Sequence, residues 1–277
     1  MPNAKIDDFQ IYYEIHGNGE PVLLVPGLGG AGSYWNPNIA EFSKYFQIIV
    51  HDHRGTGQST PAKIEYSVEQ MTDDMIRLMD YLKLEKVHLV GHSTGGAMGQ
   101  VAAIKYPDRL LSLVIYASWT RATPFMRRCL EMRRELILKS GIEAYVKAVP
   151  IFLHTYWWVN DNIEKLEEAE KLIIKTISDP EIQVARIDGI LAFDGTRYLA
   201  KKINIPTLVC CAKDDILTPM PYSREIAAAI PNSKTYWFER GAHAVSQTMP
   251  EEFNRVVISF LQAQEKGVEW QTPKDHA

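Results

Sequence analysis

Cysteine is scarce in this chain of 277 residues. There are three, Cys129, Cys210 and Cys211. Two are adjacent, which excludes a simple disulfide framework, and none has metal-ligand spacing. Cys210 and Cys211 sit in the apolar run Thr207-Leu208-Val209-Cys210-Cys211-Ala212 and read as small buried strand residues. Charge of one sign is also lacking. The formal net charge is -4, which argues against nucleic acid as a partner. No run of about 18 apolar residues occurs, so no membrane span is expected. The start, Met1-Pro2-Asn3-Ala4-Lys5-Ile6-Asp7-Asp8, is polar and has no apolar signal-peptide core. A reducing cytoplasm is the simplest location. Linkers rich in Gly/Ser or Pro and internal repeats are missing too, so nothing suggests a string of domains. What remains is an ordinary globular balance, 46% hydrophobic and 23% charged. The length suits one large domain or one domain with a sizeable insertion.

Short apolar runs alternate with helical patterns, which predicts an α/β fold with a mostly parallel central sheet flanked by helices. Strands are expected at Phe9–Ile15, Pro21–Val25, Phe46–Val50, Val87–Val90, Leu110–Ala117, Ile205–Ala212 and Lys234–Phe238. Helices are expected at Ser67–Leu82, Thr94–Lys105, Tyr222–Ile230 and Glu251–Gln264. The polar tail from Glu265 onward is expected to fray. Between Trp119 and Ala200 the strand pattern disappears. Met126–Ser140 and Glu164–Ile177 read as helices of an insertion over the C-terminal edge of the sheet. The expected division is a core at 1–118 and 201–277 and a helical cap at 119–200.

Gly91-His92-Ser93-Thr94-Gly95 matches G-x-S-x-G between an expected strand and an expected helix, the context this motif requires. A sharp strand-to-helix turn exposes the serine hydroxyl near a helix N-terminus, where the dipole favours developing negative charge. Ser93 is the candidate nucleophile, and it needs a base. In the order Ser, Asp or Glu, His, the downstream histidines are His154 in the insertion, His243 after the last strand and His276 in the tail. His243, in the loop Gly241-Ala242-His243-Ala244, is the expected base. The acid should follow strand Ile205–Ala212, where Asp214 and Asp215 are adjacent. A tetrahedral oxyanion needs preorganised donors. The N–H of Thr94 is one. The other should come from Pro26-Gly27-Leu28-Gly29-Gly30, and its position selects the N–H of Leu28.

These motifs together resemble the α/β-hydrolase superfamily over nearly the whole chain outside the insertion. The spacing Asp215-Ile216-Leu217-Thr218-Pro219 resembles the family's D-x-x-x-P, which selects Asp215 and leaves Asp214 to the turn. Pro26 stands where the family's oxyanion motif usually begins with His, a side-chain change that spares the backbone donor. Asp52-His53-Arg54-Gly55-Thr56-Gly57-Gln58-Ser59 resembles the family's D-x-R-G-x-G-x-S turn. That similarity displaces the metal reading invited by His51 and His53, so no metal and no cofactor are expected. A narrower similarity is carried by Gly27-Leu28-Gly29-Gly30 with Gly32-Ser33-Tyr34-Trp35, Arg54-Gly55-Thr56-Gly57, Arg127-Arg128-Cys129 and Gly241-Ala242-His243-Ala244. It is to the aminoacrylate hydrolases of pyrimidine breakdown. Enol-lactone hydrolases share the core motifs.

The expected substrate is a small molecule whose ester, lactone or amide bond is cleaved through an acyl-enzyme. Trp35, Trp119 and Trp157 are candidate pocket walls, and Arg121 is a candidate partner for a substrate carboxylate. Arg127, Arg128, Arg133 and Arg134 read instead as a solvated helix face. Carbon–carbon bond hydrolysis of a diketone and ligand sensing on the same fold are the alternatives. The protein is expected to be a monomer or a homodimer.

Overall fold

The computed structural model describes residues 2–177, 179–199 and 203–273. The proposed boundary between residues 200 and 201, and His276, lie outside the described residues. Eight strands form one sheet in the order β1-β2-β4-β3-β5-β6-β7-β8. They are β1 (Asn3–Ile6), β2 (Phe9–His16), β3 (Pro21–Val25), β4 (Gln47–His51), β5 (Val87–His92), β6 (Leu110–Tyr116), β7 (Thr207–Ala212) and β8 (Lys234–Phe238). β1 with β2 and β2 with β4 are antiparallel, and the pairs from β4 to β8 are parallel.

Helices in chain order are α1 (Asn36–Phe42), α2 (Val68–Tyr81), α3 (Thr94–Lys105), α4 (Pro124–Glu135), α5 (Gly141–Leu153) and α6 (Tyr156–Asp161). They continue with α7 (Ile163–Thr176), α8 (Pro180–Ala192), α9 (Thr196–Leu199), α10 (Met220–Ala229), α11 (Val245–Thr248) and α12 (Pro250–Glu265). Strand alternation sorts the core into two layers. Leu23 and Val25 of β3 face α2, α3 and buried residues of α4, α5 and α8. Val22 and Leu24 face Phe42 of α1 and Phe253, Val257 and Leu261 of α12. α2 begins where the Ser67 hydroxyl accepts the N–H of Gln70 at 3.0 Å, a side-chain N-cap.

Parallel register decides where the loops meet. Val25 pairs with Gly91, His92 with Tyr116, Tyr116 with Cys210, and Ala212 with Phe238. The C-terminal ends of β3, β5, β6, β7 and β8 are therefore level. The loops after them carry Leu28, Ser93, Trp119, Asp215 and His243 to one edge, where open α/β sheets place their ligands.

Four expectations need correction. β1 was not anticipated, because its short alternation carries only Ala4 and Ile6 as buried residues. The helix expected over Met126–Ser140 ends at Glu135 and passes into a π-helical turn, Leu136–Ser140, before Gly141 at φ +83°. The segment after Glu265 does not simply fray. Trp270 is buried against Phe260, and its indole N–H donates to Ser259 Oγ at 2.9 Å. Arg133 is not solvated: it is buried, donates to Tyr145 Oη at 3.0 Å and lies over the Phe152 ring. Helical spacing places Arg133 on the same face as the buried Met126 and Leu130, so a charged residue occupies an inward position.

Candidate active site

β5 runs into α3 through a single residue, Ser93, at φ 54° and ψ -111°. A side chain in this region strains the backbone, so its neighbours must hold it there. The Ser93 N–H donates to Tyr116 O at 2.8 Å, and Ser93 O accepts from Ser118 Oγ at 2.8 Å and from the Ala97 N–H at 3.1 Å. The turn is so tight that a Cβ on Gly91 would lie 2.2 Å from Gly95 O. Ser93 is 7% exposed. Its Oγ has no hydrogen-bond partner among the described residues.

His243 follows β8 in a loop anchored by both of its neighbours. Asp214 accepts the N–H groups of Gly241 at 3.2 Å and Ala242 at 2.8 Å, with Ala242 at φ 56°. The His243 carbonyl accepts from His92 Nε2 at 3.0 Å and from Tyr116 Oη at 2.9 Å. The adjacent Asp215 faces the imidazole instead. Asp215 Oδ2 lies 2.8 Å from His243 Nδ1 and accepts from Thr218 Oγ1 at 2.8 Å, while Oδ1 accepts the N–H groups of Leu217 and Thr218, each at 2.8 Å. The carboxylate is buried and its acceptor sites are filled. Donation from Nδ1–H to this carboxylate fixes the tautomer and leaves His243 Nε2 free to take a proton. Thr218 Oγ1 also lies 3.1 Å from His243 Nδ1. Residue spacing did not single out Thr218. Its signal was its place in D-x-x-T, where a hydroxyl returns to the carboxylate one turn back.

His92, the second residue of the G-x-S-x-G motif, was likewise given no role by the sequence. It stacks on Tyr34 at 4.4 Å and lies 4.7 Å from the His243 ring. Burial, and then the neighbouring His243, hold its pKa well below the ordinary histidine value, so it stays neutral. Its Nε2 must therefore carry the proton that binds the His243 carbonyl.

The loop after β3 is pinned on two sides. Gly30 N–H donates to Gly27 O at 3.0 Å, closing a tight turn. Gly30 O accepts from the His53 N–H at 2.7 Å and from Thr56 Oγ1 at 3.0 Å. Asp52 accepts the N–H groups of Gly32 and Gln58, each at 2.8 Å. The D-x-R-G-x-G-x-S segment is thus a brace for the loop that carries Leu28. His51 and His53 lie with their rings 5.3 Å apart, but the Arg186 guanidinium occupies His53 Nδ1 at 3.0 Å. A cation already sits where a metal would bind, and among the described residues no group of three ligating side chains exists.

The candidate substrate contacts scatter. Trp35 is completely buried in the layer beneath the sheet, against Phe253 and Tyr116. Trp119 is buried in the opposite layer, which the helices between β6 and β7 share. Trp157 is half-buried, with Arg240 5.1 Å over its ring. Arg121 is exposed and paired with Glu225 at 2.7 Å. Its guanidinium is therefore engaged by a carboxylate of the protein itself. His154, at the end of α5, was set aside in the sequence yet stacks on Trp158 and approaches Gln247 Oε1 at 3.0 Å.

A family model described as alpha/beta hydrolase fold matches residues 20–144. A protein of Azorhizobium caulinodans named "Putative carbamate hydrolase RutD" is 41% identical, covering 94% of this chain and 98% of its own. Among solved structures, an enol-lactonase from Burkholderia xenovorans LB400 is 25% identical with a TM-score of 0.85, covering 94% of this chain and all of its own. A thermophilic esterase from Thermogutta terrifontis is 25% identical with a TM-score of 0.82, covering 92% of this chain and 94% of its own. Among the described residues no helix is long and apolar enough to cross a membrane.

Proposed function

Because this chain belongs to the α/β-hydrolase family and is a hydrolase, we propose that it cleaves a small ester, lactone, amide or carbamate through Ser93, His243 and Asp215. The observation that carries this reading is a buried Asp215–His243 pair at 2.8 Å beside a serine held at φ 54°. Neither feature benefits packing. A strained serine and a buried ion-pairing group both cost stability, and such costs are concentrated at functional sites.

In the proposed mechanism His243 Nε2 removes the Ser93 proton as Oγ attacks the carbonyl carbon. The developing oxyanion is met by the N–H groups of Leu28 and Thr94, the latter at the N-terminus of α3. His243 protonates the leaving oxygen or nitrogen, and the acyl group stays on Ser93. Water then gives a proton to the same imidazole as it attacks the acyl carbon, and the imidazolium returns that proton to Ser93 Oγ as the acid leaves. Asp215 remains ionised and stabilises the imidazolium through Nδ1. The helices between β6 and β7 act in this scheme as a cap. The low exposure of Ser93 and His243 favours a small substrate. The relative named as a carbamate hydrolase and the lactone- and ester-cleaving neighbours favour an acyl carbon bound to nitrogen or oxygen.

Treatment with a fluorophosphonate followed by intact-mass measurement tests the reading. One adduct is expected on the wild type and none on Ser93→Ala. A folded wild type that takes no adduct would refute it.

A further inference from the structure

Arg186 lies on the inner face of α8, one turn from Ile182 and one turn from Ile190, and all three are buried. The guanidinium is fully buried, and no carboxylate among the described residues pairs with it. Its partners are neutral. Nη2 donates to Leu28 O at 3.0 Å and meets His53 Nδ1 at 3.0 Å, Nε donates to Leu28 O at 3.3 Å, and Nη1 donates to Arg54 O at 3.4 Å. The cation also sits 5.5 Å over the Tyr66 ring. Burial lowers its pKa only to about 10, so it is charged at neutral pH. A buried charge without a counterion is costly, and an apolar side chain of similar volume would fill the same space more stably. Packing therefore does not explain an arginine here.

What the charge touches is the loop of the proposed oxyanion donor. Gly27 O is held by the Gly30 N–H, and Leu28 O is held by Arg186, so the peptide planes on both sides of Leu28 are fixed. In a trans peptide the N–H points opposite to the preceding carbonyl. The Leu28 N–H is thereby directed out of the turn, and it has no protein acceptor among the described residues. A Cβ on Gly27 would lie 3.1 Å from Ser93 Cβ, so this peptide stands against the nucleophile. Gly30 leaves the arginine its space. Its φ is +71°, and a Cβ there would lie 2.7 Å from Arg186 Nη2.

We propose that Arg186 is a positioning residue for the oxyanion hole: from α8 it aims the Leu28 amide at Ser93 and ties assembly of the hole to the seating of that helix. The inference rests on the serine-hydrolase reading above. Removing one oxyanion donor outright slows catalysis by about 10²–10³-fold. Loosening it should therefore cost about 10–100-fold.

The test compares wild type, Arg186→Met and Arg186→Lys, each confirmed folded by thermal melting. It uses p-nitrophenyl acetate turnover and inhibition by benzeneboronic acid, which forms a tetrahedral adduct on an activated serine. In Arg186→Met, kcat should fall about 10–100-fold with KM little changed, and boronate affinity should fall in parallel with kcat/KM. Arg186→Lys keeps one donor for Leu28 O and should show a smaller parallel loss. Wild-type kcat in folded Arg186→Met overturns the inference, as does a loss of kcat with boronate affinity intact. Should Arg186→Met not fold, Arg186→Lys decides, and wild-type values of both quantities overturn it. Failure of the underlying reading looks different: the wild type itself would show neither boronate inhibition nor turnover that Ser93→Ala abolishes.

Discussion

Asp214 and Asp215 are neighbours with the same side chain, and the proposed mechanism assigns them opposite consequences when altered. In Asp215→Asn, the Oδ1 position must stay an oxygen, because it accepts two backbone N–H groups at 2.8 Å each. The new amide nitrogen then takes the place of Oδ2, 2.8 Å from His243 Nδ1. It donates there, so Nδ1 becomes an acceptor and the imidazole proton moves to Nε2. A protonated Nε2 cannot accept the Ser93 proton. Loss of the correct tautomer costs about 10⁴ in kcat, or about 5.5 kcal/mol of transition-state stabilisation. The Thr218 hydroxyl loses Oδ2 as its acceptor but has Ala117 O at 3.0 Å to donate to instead, so Tm should move by less than about 3 °C. Asp214→Ala removes an exposed carboxylate that accepts two backbone N–H groups. That should cost about 1–2 kcal/mol of stability and a few degrees of Tm, with kcat reduced about tenfold or less. Steady-state turnover of p-nitrophenyl acetate beside thermal melts separates the two. If Asp215→Asn stays within tenfold of wild type while Asp214→Ala collapses, the assignment of the acid is wrong.

Stability should also respond to mild acid. Burial holds His51 at about 4 and His53 and His92 well below the ordinary histidine value. The unfolded chain binds these protons near pH 6.5 and the folded chain does not, so stability is full above pH 6.5 and falls as pH drops toward the folded values. Each histidine contributes about 1.4 kcal/mol per pH unit in that window. A Tm unchanged between pH 7.5 and 5 would contradict this. At the other end of the chain, Trp270→Ala should lose about 2–4 kcal/mol by emptying the space against Phe260, with kcat unchanged. An unshifted melting curve would mean the tail contributes nothing.

The alternation of apolar runs and helical periods in the chain already determined an α/β core, because period 2 and period 3.6 cannot bury the same face. It also determined which loops follow which strands. The loops carrying Ser93, His243 and the adjacent Asp214 and Asp215 could be selected because parallel strands in level register must deliver their following loops to one edge; the choice of Asp215 came from the family resemblance. Other decisions were not local. Trp35 and Trp119 look alike as aromatic residues after strands, but they lie in opposite core layers, and only the three-dimensional path of each loop decides that. Arg121 and Arg186 are each one arginine in the stretch between β6 and β7. Glu225 holds the first at the surface, while the second is carried inward by the apolar stripe Ile182–Ile190 onto the Leu28 carbonyl. An amino-acid sequence records charge and spacing. Whether a charge meets water, a carboxylate or a buried peptide depends on partners more than a hundred residues away, and those meet only when the layers pack.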